Sequence, residues 1–189
     1  MWSEQMMEDY LKKHLKGERY EHSIRVRNTA IELADFFKEN KDRAKIAGLI
    51  HDCAKNMEDE EIINIIEENG YTIDEVEQKS PNIMHGLAGA IIAKEIMGVY
   101  EQDIFNAIAY HTTGRKNMSV LEKIIYIADY IEPMRNFPGV ENLRELTYKN
   151  LDEALLMSFD NTIKYVIERK QLIHYKTIEA RNCLMTILL

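Results

Sequence analysis

Six side chains of the kinds that bind transition metals are spread through this chain of 189 residues. In chain order they are His22, His51, Asp52, His85, His111 and Asp129. Imidazole and carboxylate ligands together suit iron, manganese, zinc or cobalt, whereas sites built from oxygen alone suit magnesium. Because buried polar groups are costly unless something pairs with them, a shared cation would satisfy the whole set. The residue types therefore predict a metal centre.

Each of these residues also has an ordinary structural alternative. A single histidine in a helix is usually a hydrogen-bonded core or surface group, and His14 and His174, which lie among lysines, look like surface residues. Asp129 interrupts the apolar run KIIYIADYIEP and could pair with Lys123 or Arg135. Aspartate is almost never fully buried unpaired. We favour the metal centre because the ordinary alternatives would have to hold independently at every position.

Three cationic side chains lie within a helical turn or a short loop of the six residues. They are Arg19, Lys55 and Arg135. Arginine suits bidentate contacts with phosphate, and a metal ion can lower the pKa of a bound water to about 7. Beside a metal ion such cations could bind phosphate; the alternative is surface ion pairing, or a helix-end cation in the case of Lys55. Tyr130 and Phe137 could stack on a base, although aromatic residues near a helix end are more often core.

Composition excludes several classes of partner. The chain has 46% hydrophobic and 30% charged residues and a net charge of −8, which disfavours nucleic acid or an anionic membrane as the main partner. The N-terminal MWSEQMMEDY lacks an apolar signal core, and CLMTILL (183–189) is far shorter than the roughly 18 residues of a membrane span. Cys53 and Cys183 form no CxxC motif, which favours a reducing compartment. We expect a cytoplasmic protein.

The elements that must position these residues are predicted to be helices. The chain has only 3 prolines and 8 glycines, and its apolar residues recur at three- and four-residue steps. Predicted helices run from a Ser3 cap to near Gly17, over 18–39, from an Asp42 cap to His51, and over 58–68, 85–98, 101–111, 119–133, 142–169 and 171–187. Ser119 and Glu122 form a predicted capping box. We therefore expect an all-α protein with a single domain over residues 1–189.

Several segments together resemble a known family. The order His22, His51–Asp52, Asp129 is similar to the H…HD…D pattern of the HD-domain metal-dependent phosphohydrolases. RYEHSIRV (19–26), HDCAK (51–55), HGLAGA (85–90), YHTTGR (110–115) and LEKIIYIADYIEPMRNFPGVENLRE (121–145) resemble its YqeK branch, the symmetrical bis(5'-nucleosyl)-tetraphosphatases. The resemblance covers roughly residues 10–185. It implies a helical bundle with a core motif region at about 18–135, on which C-terminal helices at 142–187 pack.

The resemblance also implies an activity and a set of roles. The activity is hydrolysis of diadenosine tetraphosphate to two ADP by attack of a metal-activated water on phosphorus. The metal ligands would be His22, His51, Asp52 and Asp129, with His85 and His111 available for a second ion. The catalytic residues would be Asp52, Lys55, His85 and His111. The substrate-binding residues would be Arg19, Asp52, Cys53, Ala54, Lys55, His85, His111, Asp129 and Arg135. One or two ions are expected per chain, with iron as the native metal and manganese, cobalt or zinc as alternatives.

Two questions stay open at the level of sequence. Cys53 occupies a position where the branch usually has an aliphatic residue; it is either a small buried hydrophobe or a redox-sensitive thiol beside iron. The function could also be a broader nucleotide phosphohydrolase, or a non-catalytic nucleotide-binding regulatory module with a structural metal. In each case the partner is a small nucleotide such as a dinucleoside polyphosphate. Exposed apolar residues near the C-terminus leave a homodimer open.

Overall fold

The protein is entirely helical, as the sequence predicts. A computed structural model describes all residues, 1–189, and contains eleven α-helices, one short 3₁₀ turn at Pro81–Ile83 and no strand. The α-helices are α1 Glu4–His14, α2 Arg19–Phe37, α3 Lys41–Ile50, α4 Asp59–Glu68, α5 Glu75–Lys79, α6 His85–Glu95, α7 Gln102–Ala109, α8 Val120–Ile131, α9 Val140–Lys149, α10 Leu151–Glu168 and α11 Tyr175–Leu188. None of them is long and apolar enough to cross a membrane.

Side-chain caps explain where several helices begin. The hydroxyl of Ser3 accepts a hydrogen bond from the backbone of α1, and Ser119 and Glu122 form the predicted capping box of α8. The predicted cap of α3 was wrong by two residues. Asn40, not Asp42, is the cap, and its side-chain oxygen accepts from the backbone N–H groups of Asp42 and Arg43. Asparagine caps as well as aspartate does, and Asp42 instead places its charge near the positive end of the helix dipole.

The predicted long helix at 142–169 is two helices, α9 and α10. Asn150 separates them with an extended backbone, φ −156° and ψ 105°. Its side-chain oxygen accepts from the N–H groups of Asp152 and Glu153 at 3.1 and 3.2 Å, which starts α10. The apolar periodicity continues across this break, so the pattern of hydrophobic residues did not reveal it. The break lets α10 pack back against α8 and α9.

Small residues let the helices that carry the histidines approach closely. A Cβ on Gly86 of α6 would lie 2.9 Å from the carbonyl oxygen of Ala109 at the end of α7. A Cβ on Gly48 of α3 would lie 3.0 Å from the backbone of Arg27 in α2. Both contacts are tighter than packed side chains normally allow. The start of α6 therefore lies directly against the end of α7, and the end of α3 lies against α2.

His174 differs from the prediction that it is a surface residue. Its side chain is buried and caps α11, because Nδ1 accepts a hydrogen bond from the N–H of Lys176 at 3.2 Å. Nε2 must then carry the ring hydrogen, and it faces carboxylate oxygens of Asp74 at 3.4 Å and Glu77 at 3.3 Å. A metal ion bound to Nε2 would require the ring hydrogen on Nδ1 and would break the cap of α11. His174, Asp74 and Glu77 are therefore a structural cluster, the latch around His174. His14 is exposed, as predicted.

Candidate metal centre

Three helices bring the first group of predicted ligands together. His22 comes from the first turn of α2, His51 follows the last residue of α3, and Asp129 lies in α8. Nε2 of His22 is 3.0 Å from Oδ1 of Asp129, and Nε2 of His51 is 4.0 Å from the same oxygen. Both Nε2 atoms are buried and make no hydrogen bond. Two orphaned imidazole nitrogens facing a carboxylate are the environment that a divalent cation satisfies, so the residues present fit such an ion.

Asp52 faces two ligand groups with its two oxygens. Oδ2 lies 3.7 Å from Nε2 of His51 and 4.0 Å from Nε2 of His22. Oδ1 lies 3.0 Å from Nε2 of His85 and 3.5 Å from Nε2 of His111. The carboxylate is buried. Asp52 therefore faces both the His22–His51 pair and the His85–His111 pair, and it could hold a divalent ion beside either pair.

In three histidines the ring orientation is fixed by a contact of Nδ1, the ring nitrogen that points away from the centre. In His51, His85 and His111 the Nδ1 atom contacts the carbonyl oxygen three residues earlier, at 2.7 to 2.8 Å. Nδ1 must therefore carry the hydrogen, which leaves the Nε2 lone pair directed at the centre. Nε2 of His85 and Nε2 of His111 lie 3.1 Å apart. The ammonium of Lys55 lies 3.3 Å from the Nε2 atom of His85, and the hydroxyl of Thr112 lies 3.3 Å from that of His111, so both nitrogens have a donor nearby.

Electrostatics keeps the ligands in the forms that bind metal. Burial lowers the pKa of His51 to about 4, so its imidazole is neutral at pH 7. Desolvation opposes ionisation of Asp52 and Asp129, yet neighbouring imidazoles hold both carboxyl pKa values below their usual range. For Asp129 the guanidinium of Arg135 adds to this effect. The centre thus combines neutral imidazole with two carboxylates.

The predicted phosphate-binding cations reach the same centre. Arg19 Nη1 contacts Oδ2 of Asp52 at 3.1 Å, and Arg135 Nη2 contacts Oδ1 of Asp129 at 2.6 Å. Nζ of Lys55 lies 3.3 Å from Nε2 of His85. The two arginines therefore pair with ligand carboxylates at the edge of the centre. Their positive charge lies beside the two carboxylates of the candidate metal centre.

The comparison with protein families agrees with this arrangement of four imidazoles and two carboxylates. Residues 19–134, more than half of the chain, match the HD domain. The chain belongs to the HD-domain family. An HD domain implies a divalent metal, and the groups His22–His51–Asp129 and His51–Asp52–His111 each place three ligand atoms within 4.8 Å of one another. The H…HD…D resemblance is confirmed at the level of the family.

Three relatives of this HD-domain chain are similar over most of their length. The symmetrical bis(5'-nucleosyl)-tetraphosphatase of Bacillus subtilis is 39% identical, over 93% of this chain and 94% of that protein. The protein of the same name from Halalkalibacterium halodurans is 38% identical, over 93% of each chain. A solved structure from Clostridium acetobutylicum, described as a predicted HD superfamily hydrolase involved in NAD metabolism, is 51% identical with a TM-score of 0.97 over 99% of both chains.

Two predicted substrate-binding residues of the HD motif point into the core. Cys53 and Ala54 are fully buried, and Sγ of Cys53 packs against the carbonyl oxygen of Gly89 at 3.5 Å. Because each residue is buried as a whole, backbone included, neither is open to a substrate in this structure. Burial raises the pKa of Cys53 to about 12, which keeps the thiol protonated. Since the thiolate is the reactive form, these facts favour the buried-hydrophobe interpretation over the redox one.

An open groove leads away from the HD metal centre. Its volume is about 700 Å³, within the range of small-molecule sites. His111, Asp129 and Arg135 line the end at the centre, and Tyr130 and Phe137 line one wall. The opposite wall comes from α10, through Asn161, Thr162, Lys164, Tyr165 and Glu168. Sequence reasoning missed the α10 residues, because nothing in their pattern separates a groove-lining polar face from a solvated one.

Sequence reasoning also missed Glu132, the residue behind His22. Oε1 of Glu132 contacts Nδ1 of His22 at 3.2 Å, and both side chains are buried. Glu132 follows the last residue of α8, where the motif YIEP was interpreted only as a helix end. One signal was present in the sequence: Glu132 lies three residues after Asp129, on the same side of the helix.

Proposed function

We propose that this protein hydrolyses dinucleoside tetraphosphates symmetrically, converting diadenosine tetraphosphate to two ADP. The observation that carries the proposal is the convergence of four imidazoles and two carboxylates at the head of a groove with cationic residues at its edge. Relatives named symmetrical bis(5'-nucleosyl)-tetraphosphatase, which match over more than nine tenths of this chain, support the choice of substrate.

We propose that His22, His51, Asp52 and Asp129 hold the first divalent ion, with iron as the native metal and manganese, cobalt or zinc as alternatives. His85 and His111 are the proposed additional ligands for a second ion. A divalent ion held there supplies positive charge for phosphate oxygens and acidifies a coordinated water. Asp52 faces the His22–His51 pair with one oxygen and the His85–His111 pair with the other, so it sets the distance between the two pairs. His51, whose lowered pKa keeps its imidazole neutral at pH 7, is already in the form that binds metal.

The chain's own cations orient the polyphosphate. Lys55, partly buried beside His85, and Arg135, beside Asp129 at the end of the groove, would bind oxygens of successive phosphates. Arg19 balances Asp52 from the other side of the centre. If one ion is bound, His85 and His111 face the substrate phosphates instead of a second metal.

The groove provides a place for one nucleoside. Tyr130 and Phe137 lie edge to face with ring centroids 5.3 Å apart, and Tyr165 of α10 lines the same groove. An apolar aromatic wall beside polar groups such as Asn161 and Thr162 suits a planar base with hydrogen-bonding edges. Attack of water on the phosphorus of the second or third phosphate would break the anhydride bond between these two phosphates and give two ADP.

Substrate comparison distinguishes this proposal from its alternatives. The anaerobic protein, loaded separately with Fe²⁺, Mn²⁺ or Co²⁺, is incubated with diadenosine tetraphosphate, nucleoside di- and triphosphates and NAD. The proposal predicts the highest kcat/KM for the tetraphosphate and ADP as its only nucleotide product. A higher kcat/KM for simple nucleotides supports the broader phosphohydrolase. Saturable ADP binding without turnover of any substrate supports the regulatory module.

Three predictions about partners and location belong to the same proposal. The acidic net charge of −8 supports a small anionic substrate met at a local metal centre, with no nucleic-acid partner. A cytoplasmic location and a homodimer that forms through apolar surface near the C-terminus remain predictions. Exposed Ile187 and Leu189 lie in that region. Light scattering of the purified protein measures the oligomeric state directly.

A further inference from the structure

One end of a single helix contacts both ring nitrogens of His22. Asp129 and Glu132 lie three residues apart at the C-terminal end of α8, so their carboxylates project from one side. Oδ1 of Asp129 is 3.0 Å from Nε2 of His22, and Oε1 of Glu132 is 3.2 Å from Nδ1. The imidazole therefore lies between two carboxylates, one in the metal centre and one on the opposite side of the ring.

Glu132 sets His22 apart from the other imidazoles of the centre. Those three donate from Nδ1 to backbone carbonyls, which carry no net charge. His22 alone donates to a carboxylate, and that carboxylate is itself fixed. Its Oε2 accepts hydrogen bonds from Nε of Arg25 at 2.7 Å and from the N–H of Met134 at 2.8 Å. Glu132 cannot turn away from the imidazole without losing these bonds.

The backbone that carries Glu132 is also fixed. Nη2 of Arg144 donates to the carbonyl oxygens of Glu132 and Arg135, both at 2.9 Å. Nε of Arg144 donates to the carbonyl of Ile131 at 2.9 Å. The end of α8 and the following turn are thus tied to α9. Rigid support of this kind is what a ligand-orienting group needs, because a misplacement of a fraction of an ångström weakens a metal site.

We propose that Glu132 is a positioning residue of the metal centre. It fixes the ring of His22 with the hydrogen on Nδ1 and increases the electron density that Nε2 offers to a divalent ion. Removing such a carboxylate from behind a metal-binding histidine typically costs about 10- to 100-fold in metal affinity. The inference rests on the metal ligands of the proposed function and is independent of the nucleotide.

The test compares the same substitution at two buried glutamates of α8. Glu132→Gln keeps the shape of the side chain and removes its charge. Glu122→Gln is the matched control, because Glu122 is equally buried and bonded to Arg115 at 2.6 and 3.0 Å but does not contact the centre. The metal-free proteins are titrated with Mn²⁺, and Co²⁺ absorption spectra report the ligand field. We expect about 10- to 100-fold weaker Mn²⁺ binding and a changed Co²⁺ spectrum for Glu132→Gln alone.

Circular dichroism reports whether each variant keeps its helices. If Glu132→Gln does not fold, Arg25→Gln replaces it, since it removes a partner of Oε2 and leaves Glu132 in place. Arg25→Gln should then bind Mn²⁺ more weakly than Glu122→Gln does. Equal Mn²⁺ affinities for the folded test variant and the control would overturn the proposal. Wild-type protein that binds Mn²⁺ but leaves diadenosine tetraphosphate intact would refute the proposed function alone.

Discussion

Oδ1 of Asp129 lies 3.0 Å from Nε2 of His22, although five helices separate α8 from α2 along the chain. His51 approaches the same oxygen at 4.0 Å from the end of a third helix. Arg135 pairs with this carboxylate, as one ordinary alternative for Asp129 predicted, but the two imidazole nitrogens beside it have no hydrogen-bond partner. These nitrogens and the carboxylate fit a divalent cation, and the following predictions depend on that relationship.

Asp129→Asn should remove one ligand of the metal centre. Because loss of a supporting group already costs about 10- to 100-fold, loss of a ligand should lower kcat/KM by more than about 100-fold. The helical circular dichroism signal should persist, since the core does not depend on Asp129. Asp152→Asn is the control: its side chain is 26% exposed against 24% for Asp129, and it pairs with Lys123 away from the centre. Equal activities of the two variants would contradict the assignment of Asp129.

Lys55→Met should weaken substrate binding more than it slows chemistry. A charge-assisted hydrogen bond to phosphate contributes about 1.5–3 kcal/mol, so KM should rise by roughly 10-fold or more. Steady-state kinetics at saturating metal measures both parameters. Lys45→Met, which removes an exposed lysine paired with Glu4, should change neither. An unchanged KM for Lys55→Met would show that Lys55 is only a helix-end cation.

Gly86→Ala should push α6 away from α7 and loosen the pair of His85 and His111. The added Cβ would meet the rigid carbonyl oxygen of Ala109 at 2.9 Å, and overpacking of this kind costs about 1–3 kcal/mol. Gly89→Ala in the same helix is the control, because its Cβ would meet the sulfur of Cys53 at 3.2 Å, which can move, and no other atom closer than 3.6 Å. Thermal unfolding should show the larger loss for Gly86→Ala. The reverse order would mean that the α6–α7 contact does not limit stability.

Glu77→Gln should destabilise the protein in a pH-dependent way. The hydrogen bond with His174 lowers the pKa of Glu77 from 4.5 to about 2. A depressed carboxyl pKa stabilises the fold above the unfolded value, and the stabilisation is lost as the pH falls through 4.5 toward 2. After allowance for solvent screening, the loss in unfolding free energy should be about 1–2 kcal/mol at pH 7 and smaller at pH 3. Urea unfolding measures it.

Exposed Glu75, paired with Lys79, provides the control for Glu77. Glu75→Gln should change the unfolding free energy little at either pH, since exposed ion pairs contribute little. A loss for Glu77→Gln that is the same at pH 7 and pH 3 would show that the latch around His174 does not act through the carboxylate charge.

The sequence was sufficient for the helical class and for the residues that meet at the centre. Apolar periodicity gave the helices, and the types of His22, His51, Asp52 and Asp129 indicated that they share a cation. The sequence was less informative where one residue type can have two different structural roles. Asn150 breaks a continuous apolar pattern by capping α10, which periodicity does not detect.

Side chains whose role depends on distant partners were the hardest to predict. His174 looks like a surface residue among lysines, and only the fold places it against Asp74 and Glu77. Glu132 looks like a helix terminus until α2 brings His22 against it. The sequence around a residue does not show which residues about a hundred positions away will contact it in the fold.

The most direct test of the central claim is product identity measured together with metal content on one anaerobic preparation. Diadenosine tetraphosphate is added, the nucleotides are separated, and bound metal is quantified in the same sample. The account predicts ADP as the only nucleotide product, with turnover proportional to the amount of bound divalent metal. Formation of AMP and ATP, or no turnover with iron, manganese or cobalt bound, would contradict it.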